Sequence, residues 1–333
     1  MYEVFRMFEY PLIVLILFFC IVKSTERKAC ALDEAFLSVD VSIFLKAICC
    51  VVIVLHHYAC KTPNYFCEYV LAMGGGGCAV PIFFVLSGYG ICKSEMKKSI
   101  PTFAEYCRKR LLKILVPLFL VVLFFEIFYV IFTISTKWCY DVYWFIWEIL
   151  IFYILFYVAK SIFPIINKKN SFFILFSSFC FVVWIVAYML SLPAYYHYLW
   201  SFVLGVALAL YEKKFLSNKF APIILIIMVF CGTYIQSYVV GESRRYAIYA
   251  SLGIIGLLVS RKIFFKRCIR RNSIIEKMGI ASYEVYLVHM FILLFFINFI
   301  TTKFKSLILF FVFFTAYCFK ELSQKVYSIY VKK

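Results

Sequence analysis

Long apolar runs, separated by short and mostly basic loops, set the pattern of this chain. Eleven such runs stand out: Tyr10–Val22, Ile43–Ala59, Cys78–Cys92, Leu111–Ile134, Val142–Ala159, Phe172–Leu190, Tyr196–Leu210, Ala221–Tyr238, Tyr246–Ser260, Ser282–Ile300 and Leu307–Phe319. A perpendicular membrane span needs about 20 apolar residues. Several runs are shorter, and short helices are tolerated where protein or a cavity surrounds them. The pattern predicts an all-α polytopic membrane protein with about 10–11 transmembrane helices.

Composition and charge support that reading. The chain is 65% hydrophobic and 16% charged, against about 25% charged in a soluble domain. Forty phenylalanines and 26 tyrosines suit lipid-facing helices with interfacial anchors. The formal charge of +18 suggests nucleic acid, but the basic residues sit in short loops between apolar runs. With alternate loops placed in the cytoplasm, starting at Lys23–Phe36, 27 Lys and Arg residues lie on that side, counting Lys113 at the cytoplasmic end of the fourth run. The seven on the other side are Arg6, Lys61, Lys137, Arg244, Arg245, Lys303 and Lys305, and Lys46 is left inside the second run. This is the positive-inside pattern, and no nucleic-acid partner is expected. Tyr10–Val22 follows Glu3, Arg6 and Glu9, a poor basic leader for a signal peptide. It reads as a retained first helix with its N-terminus outside.

Charges and histidines inside apolar runs need a reason to be there. Lys46 and His57 share the second run with His56. Residues eleven apart share a helical face, because eleven steps of about 100° return to within roughly 20°. Lys46 and His57 then point the same way, about 16 Å apart along the axis, while His56 points about 100° round. His289 lies about two turns into the run that starts at Ser282. A neutral histidine can take a proton from a hydroxyl near neutral pH. The same rings also suit structural hydrogen bonds across helices. His197, in a short outer loop, suits an interfacial role. Glu126, Glu148 and Glu284 also fall within the runs, and Glu148 or Glu284 is suited to orient a histidine.

Other features are less specific. Gly74–Gly77 are four consecutive glycines, which oppose a helix interior and predict a flexible or closely packed turn on the outer side. No Gly-Lys-Ser/Thr follows, so this is not a P-loop. The run from Val80 to Gly90 carries Ser87, Gly88 and Tyr89 to the cytoplasmic surface, with small residues that allow close packing. Lys93, Lys97, Lys98, Arg108, Lys109, Arg110 and Lys113 form a dense basic loop. Such a cluster suits a phosphate-bearing cosubstrate, and equally a topology signal with anionic-lipid contact. The cluster from Arg261 to Arg271 is read as topology. Fourteen cysteines lie mostly within apolar runs as small buried hydrophobes, at no metal-ligand spacing. Cys60 and Cys67 flank one outer loop, where a disulfide is an option.

Four blocks in order are similar to the integral-membrane acyltransferase-3 family, which includes polysaccharide O-acetyltransferases. They are Leu45-Lys46-Ala47-Ile48 with Val54-Leu55-His56-His57, Ile82 to Gly90, Arg108-Lys109-Arg110-Leu111 with Val116-Pro117, and Ser282 to His289. The resemblance runs from about Leu37 to about Phe319 and implies about ten helices. Residues 1–36 then form an extra N-terminal transmembrane segment and cytoplasmic linker before a 37–333 membrane domain. It implies a membrane O-acyltransferase that takes an acetyl or other acyl group from cytoplasmic acyl-CoA, with no metal. The acceptor is a hydroxyl of a cell-surface or lipid-linked glycan. His57 matches the family's first-helix histidine, eleven residues after a basic residue, here Lys46. His56 and His289 join it as candidate catalytic residues. Arg108, Arg110, Lys46, Ser87 and Tyr89 are the candidate donor-binding residues. A bacterial plasma (inner) membrane is the expected location, with membrane lipids as neighbours and room for a homodimer. The alternative is a multi-pass transporter or flippase of a lipid-linked or small solute, although no inverted repeat is visible.

Overall fold

The computed structural model describes residues 2–27, 35–61, 66–96, 98–131, 143–190, 198–240, 245–264, 267–299 and 305–331. The helices are α1 (Tyr2–Ser24), α2 (Val39–Lys61), α3 (Phe66–Glu95), α4 (Phe103–Tyr106), α5 (Leu112–Ile131), α6 (Trp144–Ile162), α7 (Ile165–Met189) and α8 (Leu199–Leu210). They continue with α9 (Glu212–Ser217), α10 (Ala221–Val240), α11 (Arg245–Ile263), α12 (Ile274–Ile280), α13 (Ser282–Phe299) and α14 (Lys305–Val331). A π-helical turn, Cys107–Leu111, joins α4 to α5 and carries the Arg108-Lys109-Arg110 run.

The described part of each of the eleven predicted runs falls mainly on one of these helices. In hydrocarbon every backbone N–H and C=O must be satisfied within the segment, which leaves the helix as the form available to each run. Among the described residues, seven helices are long and apolar enough to cross a membrane, or eight if the bent α12–α13 pair is one span. The shorter apolar helices are Leu12–Ser24, Leu199–Leu210 and Ala221–Ile235. Of these, α8 is short because it is interior. Leu199, Phe202, Val206 and Leu208 are fully buried, so protein rather than lipid surrounds its ends. By contrast Leu15, Phe18 and Phe19 of α1 and Ile223, Ile227 and Met228 of α10 are exposed, as lipid-facing positions are. Cys231 and Cys318 are also exposed, unlike the buried Cys49, Cys50 and Cys180. They sit on outward helix faces, where lipid replaces protein.

Among the described residues, a two-stranded antiparallel ribbon departs from the all-helical pattern. β1 (Thr25–Arg27) pairs with β2 (Arg267–Ile269), Glu26 opposite Cys268. Arg270 supports it through a backbone bond to Ser24 O (2.8 Å) and an ion pair to Glu26 (3.4 Å). Segments that the charge bias assigns to one side do meet each other. Besides the ribbon, Lys93 reaches Glu212, Arg110 and Lys160 reach Glu95, and Tyr327 reaches Arg108.

The centre of the bundle is α3, packed against α2, α8 and α11. Gly74–Gly77 are helical and form no turn. The helix stands because the membrane enforces internal pairing and because neighbours occupy the space that side chains leave empty. A Cβ on Gly75 would lie 2.9 Å from His56 Cβ, and one on Gly77 would lie 2.9 Å from Tyr249 Cβ. The close packing expected of the run is therefore present, with α2 on one side and α11 on the other. Further along, α3 and α8 meet backbone to backbone. A Cβ on Gly88 would lie 2.2 Å from Phe202 O, and one on Gly205 would lie 2.2 Å from Val85 O. Small residues at such crossings let dispersion and weak polar contacts act where lipid offers no hydrophobic drive.

α12 was not predicted. Ser273 caps it by accepting from Glu276 N (3.3 Å), and Glu276 accepts from Asn272 N (2.5 Å). That is the Ser-x-x-Glu pattern of a capping box, legible in the sequence. The chain then turns through 81° into α13. At the bend Gly279 lies against Ile43 O of α2, 2.3 Å from where a Cβ would stand.

Gly88→Ala and Gly205→Ala should each destabilise the fold by about 1–3 kcal/mol through overpacking, read as earlier thermal unfolding in detergent. Gly256→Ala, whose Cβ meets nothing within 4 Å, should not lower the unfolding temperature, since alanine favours a helix interior over glycine.

Candidate active site

Two stations lie along α2. The first is a cavity of about 240 Å³ lined by Lys46, Ser87, Lys113, Glu284, Tyr286 and Lys320 among others. Phe145, Ile146 and Ile149 of α6 form its apolar wall. Cys50 Sγ donates to Ser282 O (3.5 Å), and Tyr283 OH donates to Ile114 O (2.8 Å). These bonds hold the start of α13 between α2 and α5. Higher on α13, Tyr143 OH donates to Leu287 O (3.0 Å), and Tyr129 OH donates to Phe291 O.

The second station is a group of imidazoles. The rings of His57 and His289 lie 5.1 Å apart, and those of His56 and His57 lie 4.9 Å apart. The stations are continuous through aromatic rings. Phe145 and Tyr286 line the cavity and lie 5.0 Å apart, and Tyr286 lies 5.6 Å from His289. His289 is fully buried. Its Nδ1 is 2.7 Å from Tyr286 O. A carbonyl only accepts, so in the neutral ring Nδ1 carries the hydrogen and Nε2 keeps its lone pair. That Nε2 is buried with no hydrogen-bond partner. The arrangement supplies a base rather than a donor at Nε2.

The structure places Lys46 and Ser87 on the cavity lining, and groups His56, His57 and His289 beyond its Tyr286 wall. The other candidates stand apart from the cavity lining. Tyr89 OH donates to Glu212 Oε1. Glu212 also accepts from Lys93 Nζ (2.6 Å) and Phe36 N (2.6 Å), so Tyr89 belongs to a latch that holds the 36–37 segment on α3 and α9. Arg110 donates to Ser94 Oγ (2.6 Å) and Glu95 Oε1 (2.5 Å), and Lys160 adds a second cation to Glu95 (2.9 Å). Arg108 offers its carbonyl to Tyr327 OH (3.3 Å). Glu284 lies 3.7 Å from Lys320 rather than beside a histidine. Glu148 is buried with both oxygens unpartnered. His197 and the side chain of Cys67 lie outside the described residues.

Sequence reasoning passed over Lys320, because the predicted run ended at Phe319. It is in fact inside α14, which continues to Val331. A lysine just past an apolar run was the available signal.

A family model described as an acyltransferase domain matches residues 39–319, from the first residue of α2 to α14. The chain belongs to the acyltransferase-3 family. No curated protein and no solved structure matches it. It is accordingly an acyltransferase and an integral membrane protein, and family membership implies an acyl-CoA-type donor and an acceptor molecule.

In this acyltransferase the Glu212 latch titrates outside the membrane. Burial alone would raise the Glu212 carboxyl, but hydrogen bonds from Lys93, Tyr89 and Phe36 N outweigh it and hold it below the usual carboxylate range. A depressed carboxylate contributes stability that is full above its ordinary value of 4.5 and is lost as pH falls through the lower folded value. Thermal unfolding of the wild type in detergent should therefore move to lower temperature as pH is taken below 4.5. Glu212→Gln should start lower and show a flatter dependence.

Proposed function

We propose that this acyltransferase moves an acyl group, acetyl in the first instance, from cytoplasmic acyl-CoA to a hydroxyl of a cell-surface or lipid-linked glycan. A bacterial inner membrane is the setting that fits this substrate pair. One observation carries the reading: the Tyr286 wall of a lysine-lined cavity packs against buried His289, whose ring lies 5.1 Å from that of His57. Residues 1–36 are read as an addition before the catalytic domain, consistent with a family match that begins at residue 39.

The chemistry follows from the two stations. Lys46 lies at the donor end, and His57, eleven residues on, lies at the acceptor end. The acceptor hydroxyl enters from the outer side, and His57 takes its proton as the oxygen attacks the thioester carbonyl. A carbon–oxygen bond forms, and the tetrahedral adduct collapses by breaking the carbon–sulfur bond. The departing thiolate takes the proton from His57, so the ring ends neutral. His289 Nε2 serves as the acceptor for the His57 imidazolium while that charge exists. His56 packs against Gly75 and Gly76 and holds α2 in place beside α3.

His57→Ala should lower thioester turnover about 10²–10⁴-fold with unfolding temperature retained. His289→Asn keeps a donor for Tyr286 O and lacks the Nε2 lone pair, and should lose activity in the same direction. The assay is release of free thiol from acyl-CoA by purified protein with a glycan acceptor. Undiminished thiol release by His57→Ala, or solute transport without acyl-CoA consumption, would sink the proposal.

A further inference from the structure

A second cavity, of about 270 Å³, adjoins the first at the ends of α5 and α14. It is lined by Lys113, Pro117, Glu284, Lys320, Ser323 and Tyr327 among others. Lys113, Glu284 and Lys320 line both cavities. Two buried polar atoms on this lining have no partner: Glu284 Oε2 and Ser323 Oγ, on residues 2% and 4% exposed. Buried polar groups are almost always hydrogen-bonded, and leaving them bare is costly. Ser323 and Glu284 therefore point to a ligand with polar groups of its own. Lys113 and Lys320 require that ligand to be anionic.

Size gives the next step. Pockets for organic ligands run from about 300 Å³ upward, and each cavity alone falls short of that. Joined across Lys113, Glu284 and Lys320, they exceed it. Tyr286 lines the first and not the second, and its ring lies 5.6 Å from that of His289, so the first suits the reactive end of a longer molecule. Charge marks the boundary: Lys46, Lys113 and Lys320 stand against the single carboxylate of Glu284. The Lys320–Glu284 pair is loose at 3.7 Å, against about 2.7–2.9 Å for a well-made charge-assisted bond. Lys320 is thus placed to leave Glu284 for a better anion.

Resting on the acyl-CoA reading above, we infer that the second cavity is the subsite for the phosphorylated nucleotide end of the donor, with Lys320 as its specificity-determining residue. Lys113 and Lys320 hold phosphate at the boundary of the cavities. Glu284 Oε2 accepts an amide N–H of the thioester arm. Ser323 Oγ and the Tyr327 ring face the nucleotide. Lys320 lies one residue beyond the family match.

The test compares two donors on the full-length protein in nonionic detergent. One is acyl-CoA, and the other is the acyl thioester of N-acetylcysteamine, which lacks phosphate and nucleotide. Lys320→Met should raise KM for acyl-CoA about tenfold, the effect of losing one hydrogen bond to a charged group, with kcat little changed. It should leave the short thioester unaffected, and Lys320→Arg should restore KM for acyl-CoA. Equal losses with both donors, or no loss with either, overturn the inference. So does a loss that appears only when anionic lipid is added, which assigns the lysines to headgroups. Binding of radiolabelled CoA to the His57→Ala protein separates the two proposals. Wild-type turnover with binding untouched by Lys320→Met overturns the subsite alone. Binding weakened by Lys320→Met in a protein without turnover overturns the transferase chemistry alone.

Discussion

The close approach of α3 to its neighbours is the constraint on which the rest of this structure depends. Gly74–Gly77 and Gly88 leave a helix with almost bare surface on three sides. His56, Tyr249 and the α8 backbone fill those sides. In lipid, apolar side chains gain nothing by leaving the solvent for one another, so contact depends on dispersion and fit. The glycines make that fit close enough to fix α2. Once α2 is fixed, Lys46 and His57 are fixed with it, one in the cavity and the other beside His289.

The second determinant is the handling of charge away from water. Glu95 is buried at the end of α3 between Arg110 and Lys160. Glu212 gathers Lys93, Tyr89 and the Phe36 amide. These clusters are satisfied, and they tie loops of one side together. The groups left over are of another kind. Glu148, Glu284 Oε2, Ser323 Oγ and His289 Nε2 are buried without partners. Glu284 and Ser323 line the second cavity, and His289 lies beside His57. The ion-pair clusters are complete, whereas Glu284, Ser323 and His289 leave buried atoms open at the cavities and beside His57; Glu148, Ser177 and Trp184 do so elsewhere.

Much of the fold was legible from the chain. The apolar runs became helices because a membrane permits little else, and the charge bias grouped the loops that meet. The departures are local. Gly74–Gly77 looked like a turn because glycine propensity is measured in water, where an unwound backbone finds hydrogen bonds; in lipid it does not. α12 and the β1–β2 ribbon escaped because hydropathy is silent on short polar elements, although Ser273 and Glu276 carried a capping signal.

For the site, the sequence by itself determined the inventory: the Lys46–His57 spacing on one helix, the late His289, the lysines at the loop ends, and the family to which they belong. Helical periodicity is a local property, so these survive without a tertiary structure. Only the tertiary structure decided which of them meet. It drew Arg110 and Tyr89 into ion-pair clusters, and it turned Lys320 from an apparent tail residue into the wall of a cavity. It also set His289 against His57 and fixed its tautomer through Tyr286 O. Those outcomes depend on contacts between helices far apart in the chain. No local rule constrains such contacts, because they are set by the depth and crossing of whole helices around α3.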